Sequence, residues 1–102
     1  MVSPDGAHLR DLVEGVAREQ DMLDEMIGAA LSPEWPIDRL EVVLRAILRA
    51  GGYEMFSRSD IPPRVVISEY LDLTHAFFAG KEAALVNAVL DRLAHQLRAD
   101  EL

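Results

Sequence analysis

The sequence contains no cysteine, which excludes disulfides and thiolate metal sites and leaves thiol usage silent about the redox compartment. No apolar run approaches the roughly 20 residues that a helix needs to cross a bilayer, so no membrane span is expected. The opening Met1-Val2-Ser3-Pro4-Asp5-Gly6 has neither a basic segment nor an apolar core, which predicts no signal peptide and a cytoplasmic location. Positive charge is scarce: 10 Lys and Arg stand against 18 Asp and Glu, a net charge of −8. That balance argues against broad non-specific binding to nucleic acid, which needs a positive surface to displace counterions. It leaves room for a local basic patch. Lys81 is the sole lysine and the other cations are arginine, the residue better suited to bidentate contacts with phosphate or carboxylate. GC-rich coding sequence gives the same bias.

Catalytic patterns are missing as well. His8, His75 and His95 fall on three different expected helices, with no i,i+4 partner and no H-E-x-x-H arrangement. Ser57, Ser59 and Ser68 stand in no nucleophile elbow, and there is no glycine-rich phosphate loop. Acidic residues such as Asp21, Asp24 and Glu25 fall on expected solvent faces. The expectation is a protein that is not an enzyme and holds neither metal nor cofactor.

What the sequence does have is apolar periodicity. Half of its 102 residues are hydrophobic, enough for one core and a single domain over 1–102. Leu9, Val13, Val16, Gln20, Leu23, Ile27 and Ala30 recur at spacings of three and four, predicting one helix from about Asp5 to Leu31, with Ser3-Pro4-Asp5 as its cap. Gly15 and Gly28 weaken that helix by up to about 1 kcal/mol each and read as close-packing points. Pro33 and Pro36 end it, and Trp35 between them is expected to pack back onto the core. Ile37-Asp38-Arg39-Leu40 reads as a short helical turn into a central helix, Val42 to about Phe56, where Gly51-Gly52 predicts a closely crossing neighbour. Pro62-Pro63 opens the next helix, whose natural stop is Gly80. A last helix covers about Lys81 to Arg98. The β-branched run Val65-Val66-Ile67 is too short and isolated to build a sheet. The predicted class is all-α, a compact bundle of about five helices.

Two features rise above this background. Arg45 and Arg49 share one flank of the central helix near Arg39, so three guanidinium groups could make positioning contacts to phosphates; the alternative is a solvated face paired with Glu41 or Glu54. Lys81 begins the last helix, where free backbone N–H groups and the helix dipole favour an anion. Asn87, between Val86 and Val89, is a polar residue on an apolar-looking stripe, able to satisfy a neighbouring backbone group or reach a ligand.

Five blocks in order resemble the NusB family of transcription antitermination factors. They are Leu9-Arg-Asp-Leu-Val-Glu-Gly-Val16; Trp35-Pro36; Leu44-Arg-Ala-Ile-Leu-Arg-Ala-Gly-Gly-Tyr-Glu54; Ile61-Pro62-Pro63-Arg-Val-Val-Ile-Ser-Glu-Tyr70; and Leu85-Val-Asn-Ala-Val-Leu-Asp91. The last two resemble the family's I-P-x-x-V-x-I-N-E and F-V-N-G-V-L-D. The resemblance implies an RNA-binding factor that pairs with the small-subunit ribosomal protein NusE on boxA RNA of ribosomal RNA operons, acting indirectly on elongating RNA polymerase. It implies Arg45, Arg49, Lys81, Leu85 and Asn87 as RNA-binding positions and Leu44 as facing the ribosomal partner. Leu44 replaces a residue that is often acidic, Leu85 a phenylalanine, Ser68 an asparagine and Ala88 a glycine. The family's arginine-rich first helix and its second helix have no counterpart before Met1, so the blocks correspond to its C-terminal five helices. Apolar surface left without those helices predicts self-association, such as a homodimer. The alternative function is a helical interaction or oligomerisation module that kept the fold and lost the RNA.

Overall fold

Helical periodicity becomes five helices in the computed structural model, which describes residues 6–33 and 35–102. They are α1 (Gly6–Arg18), α2 (Gln20–Ala30), α3 (Val42–Ser57), α4 (Pro63–Phe77) and α5 (Glu82–Leu97), with short 3-10 turns at Ile37–Arg39 and Ala99–Glu101. Among the described residues there is no strand, and Val65-Val66-Ile67 lies inside α4. The expected cap at Ser3-Pro4-Asp5 lies outside the described residues.

Helix α3 is the hub, packed against the other four. Its Leu48 and Met55 meet Leu23 and Ile27 of α2, Val66 and Tyr70 of α4, and Val86, Leu90 and Leu93 of α5 in one buried core. Gly51 and Gly52 are where α3 and α5 cross: a Cβ on Gly51 would lie 3.1 Å from both Leu90 δ-carbons, and one on Gly52 3.5 Å from Leu93 Cδ1. Burying Leu90 and Leu93 fully contributes roughly 1.5–3 kcal/mol each, against up to about 1 kcal/mol lost per helical glycine. Close approach therefore outweighs the helix penalty. Pro63 at the first position of α4 suits its fixed φ and missing N–H.

The first expected helix is two. Glu19 stands between α1 and α2 with φ −102° and ψ 15°, although Glu19 N donates to the Gly15 carbonyl and Leu23 N to the Glu19 carbonyl, both at 2.9 Å. The helix is interrupted at that one residue, where the halves answer to different partners: α1 lies on α3, whereas α2 packs on both α3 and α5. The apolar stripe divides at the same place. Leu23, Ile27 and Ala30 are buried, but Gln20 is exposed, and Leu9 and Val13 stay 52% and 61% exposed. Gly15 is a close-packing point, beneath the Tyr53 ring, while Gly28 has nothing within 4 Å and is not. Nor does Gly80 act as a left-handed cap, since no described residue has a positive φ; α4 ends at Phe77, with Phe78 N donating to the Thr74 carbonyl.

Polar pairs pin these helices together. The His8 ring bridges Glu54 of α3, 2.9 Å from its Nε2, and Arg58, which contacts Nδ1. Arg98, 5% exposed, donates to both carboxylate oxygens of Glu101 at 2.6 Å and to the carbonyls of Arg58 and Ser59. It thereby ties the end of α5 to the α3–α4 loop.

Candidate nucleic-acid interface

The segment between α2 and α3 is held by short-range bonds. Trp35 N donates to the Ser32 carbonyl at 2.8 Å, and Arg39 N to the Pro36 carbonyl at 3.0 Å. Glu41 then caps α3, its Oε2 accepting from Val43 N at 2.9 Å and Leu44 N at 3.2 Å. Helix α5 begins beside it, with Lys81 at the cap position and no side-chain cap. These pieces border one groove of about 380 Å³, lined by Trp35, Arg39, Leu40, Leu44, Lys81 and Leu85, with Glu41 and Glu82 alongside. Leu40 and Leu44 are buried and form its floor, Leu85 is half-buried, and Arg39 and Lys81 are exposed. The chemistry is an apolar slot bordered by two cations and two carboxylates.

Three of the sequence-derived positions meet here: Leu44, Lys81 and Leu85. Leu44 is 4% exposed, so it offers a partner a floor and not a protruding contact. Trp35 does not pack into the core as expected; it is 50% exposed and stands at the groove, because the prolines on either side hold its turn away from the bundle.

The arginine flank is only partly available. Arg49 makes a bidentate pair with Asp24 of α2, at 2.7 and 2.8 Å, and Asp24 thereby fixes its positive charge more firmly. This replaces the expected Glu41 or Glu54 pairing, and it removes Asp24 from the solvent face on which the sequence placed it. Arg45 turns toward the Ile37–Arg39 turn, where its NH1 lies 3.4 Å from the Asp38 carbonyl, and its Nε is buried with no hydrogen-bond partner. Glu54 is instead buried against His8.

Asn87 is exposed, not part of the buried stripe. Two residues apart on a helix means about 200° of rotation, so Leu85 and Asn87 address different surfaces. Asn87 lies in a second, open cleft between α4 and α5 with Ser68, Asp72, His75 and Asp91. Among the described residues no group of three or more His, Asp or Glu side chains is placed to hold a metal ion, and no helix is long and apolar enough to cross a membrane.

Comparison with known proteins agrees with this architecture. The NusB family profile matches residues 1–95. The chain is 52% identical over 97 residues to the transcription antitermination protein NusB of Rhodopseudomonas palustris (strain BisB5), covering 95% of this chain and 56% of that protein. With the protein of the same name from Nitrobacter hamburgensis it shares 52% over 97 residues, covering 95% and 61%. The chain therefore spans little more than half the length of the curated relatives it matches. A solved structure of T. maritima NusB superposes with a TM-score of 0.84 at 29% identity, over 95% of this chain and 70% of that one. Matched in sequence from residue 1 to 95 and in fold to a solved member, the chain belongs to the NusB family.

Proposed function

We propose that this chain acts in transcription antitermination as a non-enzymatic, cytoplasmic RNA-binding factor. It takes up boxA-type single-stranded RNA together with the small-subunit ribosomal protein NusE, and so reaches elongating RNA polymerase indirectly. The observation that carries the reading is the groove where the starts of α3 and α5 converge, bringing Leu44, Lys81 and Leu85 together with Arg39 at its rim. An apolar slot with cations at its edge suits single-stranded nucleic acid, whose bases are apolar on their faces and whose backbone is anionic. Arg45 adds a cation beside it. The net charge of −8 makes such a local patch necessary, because long-range attraction is unfavourable.

The test is titration of labelled boxA RNA with the chain, with and without NusE, at two salt concentrations. Saturable binding that tightens with NusE and weakens with salt is expected, the logarithmic slope falling by roughly 0.7 per phosphate neutralised. Arg45→Ala should flatten that slope by about one contact. Salt-independent or absent binding in both conditions refutes the reading. A second reading, a self-associating helical module, is favoured by the exposed Leu9 and Val13 on α1. A strictly monomeric mass at micromolar concentration excludes it.

A further inference from the structure

We infer that Trp35 is a stacking platform for one unpaired base of the bound RNA, with Arg39 and Lys81 holding the flanking phosphates. This rests on the reading of the groove as an RNA site and names the residue that engages the base.

Trp35 is the only tryptophan in the chain, and half of it lies in water although the groove floor beside it is apolar. Large aromatic surfaces usually find burial in the core or at an interface. Here the backbone prevents burial: the Trp35 N–H is bonded to the Ser32 carbonyl, and Pro36 continues in an extended conformation at φ −61° and ψ 142°. The residue is thus held beside the groove by its backbone, which keeps the indole out of the core. Glu41 and Glu82 also line the groove; the Glu41 carboxylate is engaged by Val43 N and Leu44 N, whereas Glu82 Oε1 is buried without a hydrogen-bond partner. Arg39 and Lys81 are exposed at the rim, where each can take a phosphate flanking the base. A protein helix is the poorer fit, because helix-in-groove docking needs apolar anchors over two or more turns. This cleft is short and has cations at its rim. One flat base against the indole, with Leu85 lining the same slot and phosphates at the rim, uses the aromatic, apolar and cationic groups of the groove.

The sole tryptophan makes the test direct. Labelled boxA RNA is titrated into the full chain while RNA anisotropy and tryptophan emission are followed together. Emission should be quenched in step with the anisotropy change, and RNAs carrying a single abasic site should abolish quenching at one position of the series. Trp35→Leu should weaken binding by roughly 5- to 150-fold, the range for losing one base–aromatic stack. Trp35→Phe should stay within about threefold of the parent, and circular dichroism checks that both variants are folded. RNA binding without quenching, or binding unchanged in Trp35→Leu, overturns the stacking role while leaving the RNA reading intact. No anisotropy change with or without NusE overturns both. Quenching by NusE alone, with none from RNA, overturns the proposal in favour of a protein dock.

Discussion

Replacing Gly15 and Gly28 with alanine should move stability in opposite directions, although both glycines occupy helix interiors and neither has a positive φ. In each case alanine returns about 0.5–1 kcal/mol through helix propensity and a less flexible unfolded chain. At Gly28 nothing lies within 4 Å of the added methyl, so the whole gain is kept and Tm should rise by roughly 2–8 °C. At Gly15 the new Cβ would sit 2.1 Å from Tyr53 Cζ, 2.3 Å from its hydroxyl oxygen and 2.5 Å from Cε1. The ring is 4% exposed and its hydroxyl accepts from Arg18 at 3.4 Å, so moving it disturbs both core and contact. Overpacking of this kind costs about 1–3 kcal/mol, leaving a net loss of up to about 2.5 kcal/mol after the helix gain of about 0.5–1 kcal/mol. Urea unfolding followed by circular dichroism measures both variants, with m unchanged if only stability moves. A Tyr53→Leu background supplies the control, because leucine lacks the three clashing atoms: there Gly15→Ala should become neutral or stabilising. A stabilising Gly15→Ala in the parent, or the same loss in both backgrounds, refutes the reasoning.

The remaining expectations concern buried polar groups. The Tyr70 hydroxyl is buried without a hydrogen bond of good geometry, and burial, then the nearby Glu54 charge and its weak pull on the hydroxyl proton, pushes its ionisation far above the usual phenol range. Tyr70→Phe should therefore be neutral or stabilising by up to about 1 kcal/mol; a loss beyond about 1 kcal/mol in urea unfolding would show that the hydroxyl is bonded. Arg98→Met should cost about 1–3 kcal/mol, because it leaves the Ser59 carbonyl without its guanidinium donor and the Arg58 carbonyl with Ile61 N alone; unchanged stability would show water replacing the guanidinium freely. Arg98 holds the Glu101 carboxyl below its ordinary 4.5, and Arg58 holds Asp60 below its ordinary 3.8. For both, the folded-state pKa lies under the unfolded one, so their stabilisation is complete above the ordinary values and is lost as pH falls through the lowered ones. Tm measured against pH should show a smaller acid loss in Glu101→Gln than in the parent, and an identical acid limb would refute the coupling.

Much of the fold was legible because its signals are local. Proline at the start of α4, the Ile37–Arg39 turn leading into α3, and the paired glycines where α5 crosses all act through neighbours in sequence or through a helical period. What escaped depends on partners far along the chain. The break at Glu19 carries no proline or glycine to mark it and coincides with the different docking of α1 and α2. Asp24 and Arg49 stand 25 residues apart, as His8 and Glu54 stand 46 apart; no spacing rule connects such pairs. Gly15 and Gly28 are alike as letters, and only Tyr53 separates them. At the site, the cations and Leu85 were visible in the sequence, whereas the Trp35 position was misjudged. Tryptophan between prolines favours burial by composition, and the turn that holds it out is set by its own backbone bonds.

The Asp24–Arg49 pair also decides how the arginine flank should be interrogated. A guanidinium already bidentate to a carboxylate must surrender that pair before it can contact phosphate fully, so Arg49 is a poorer RNA ligand than its exposure suggests. Removing it leaves a half-buried Asp24 without its cation, which lowers stability whether or not RNA is bound. Weakened binding in Arg49→Ala would therefore have two causes. Asp24→Asn separates them: it frees the Arg49 charge and removes one negative charge from the flank. If Arg49 reaches phosphate, Asp24→Asn should tighten RNA binding and steepen its salt dependence while Arg49→Ala weakens it. If the pair serves only to fasten α2 to α3, both substitutions lower stability and leave the salt slope unchanged.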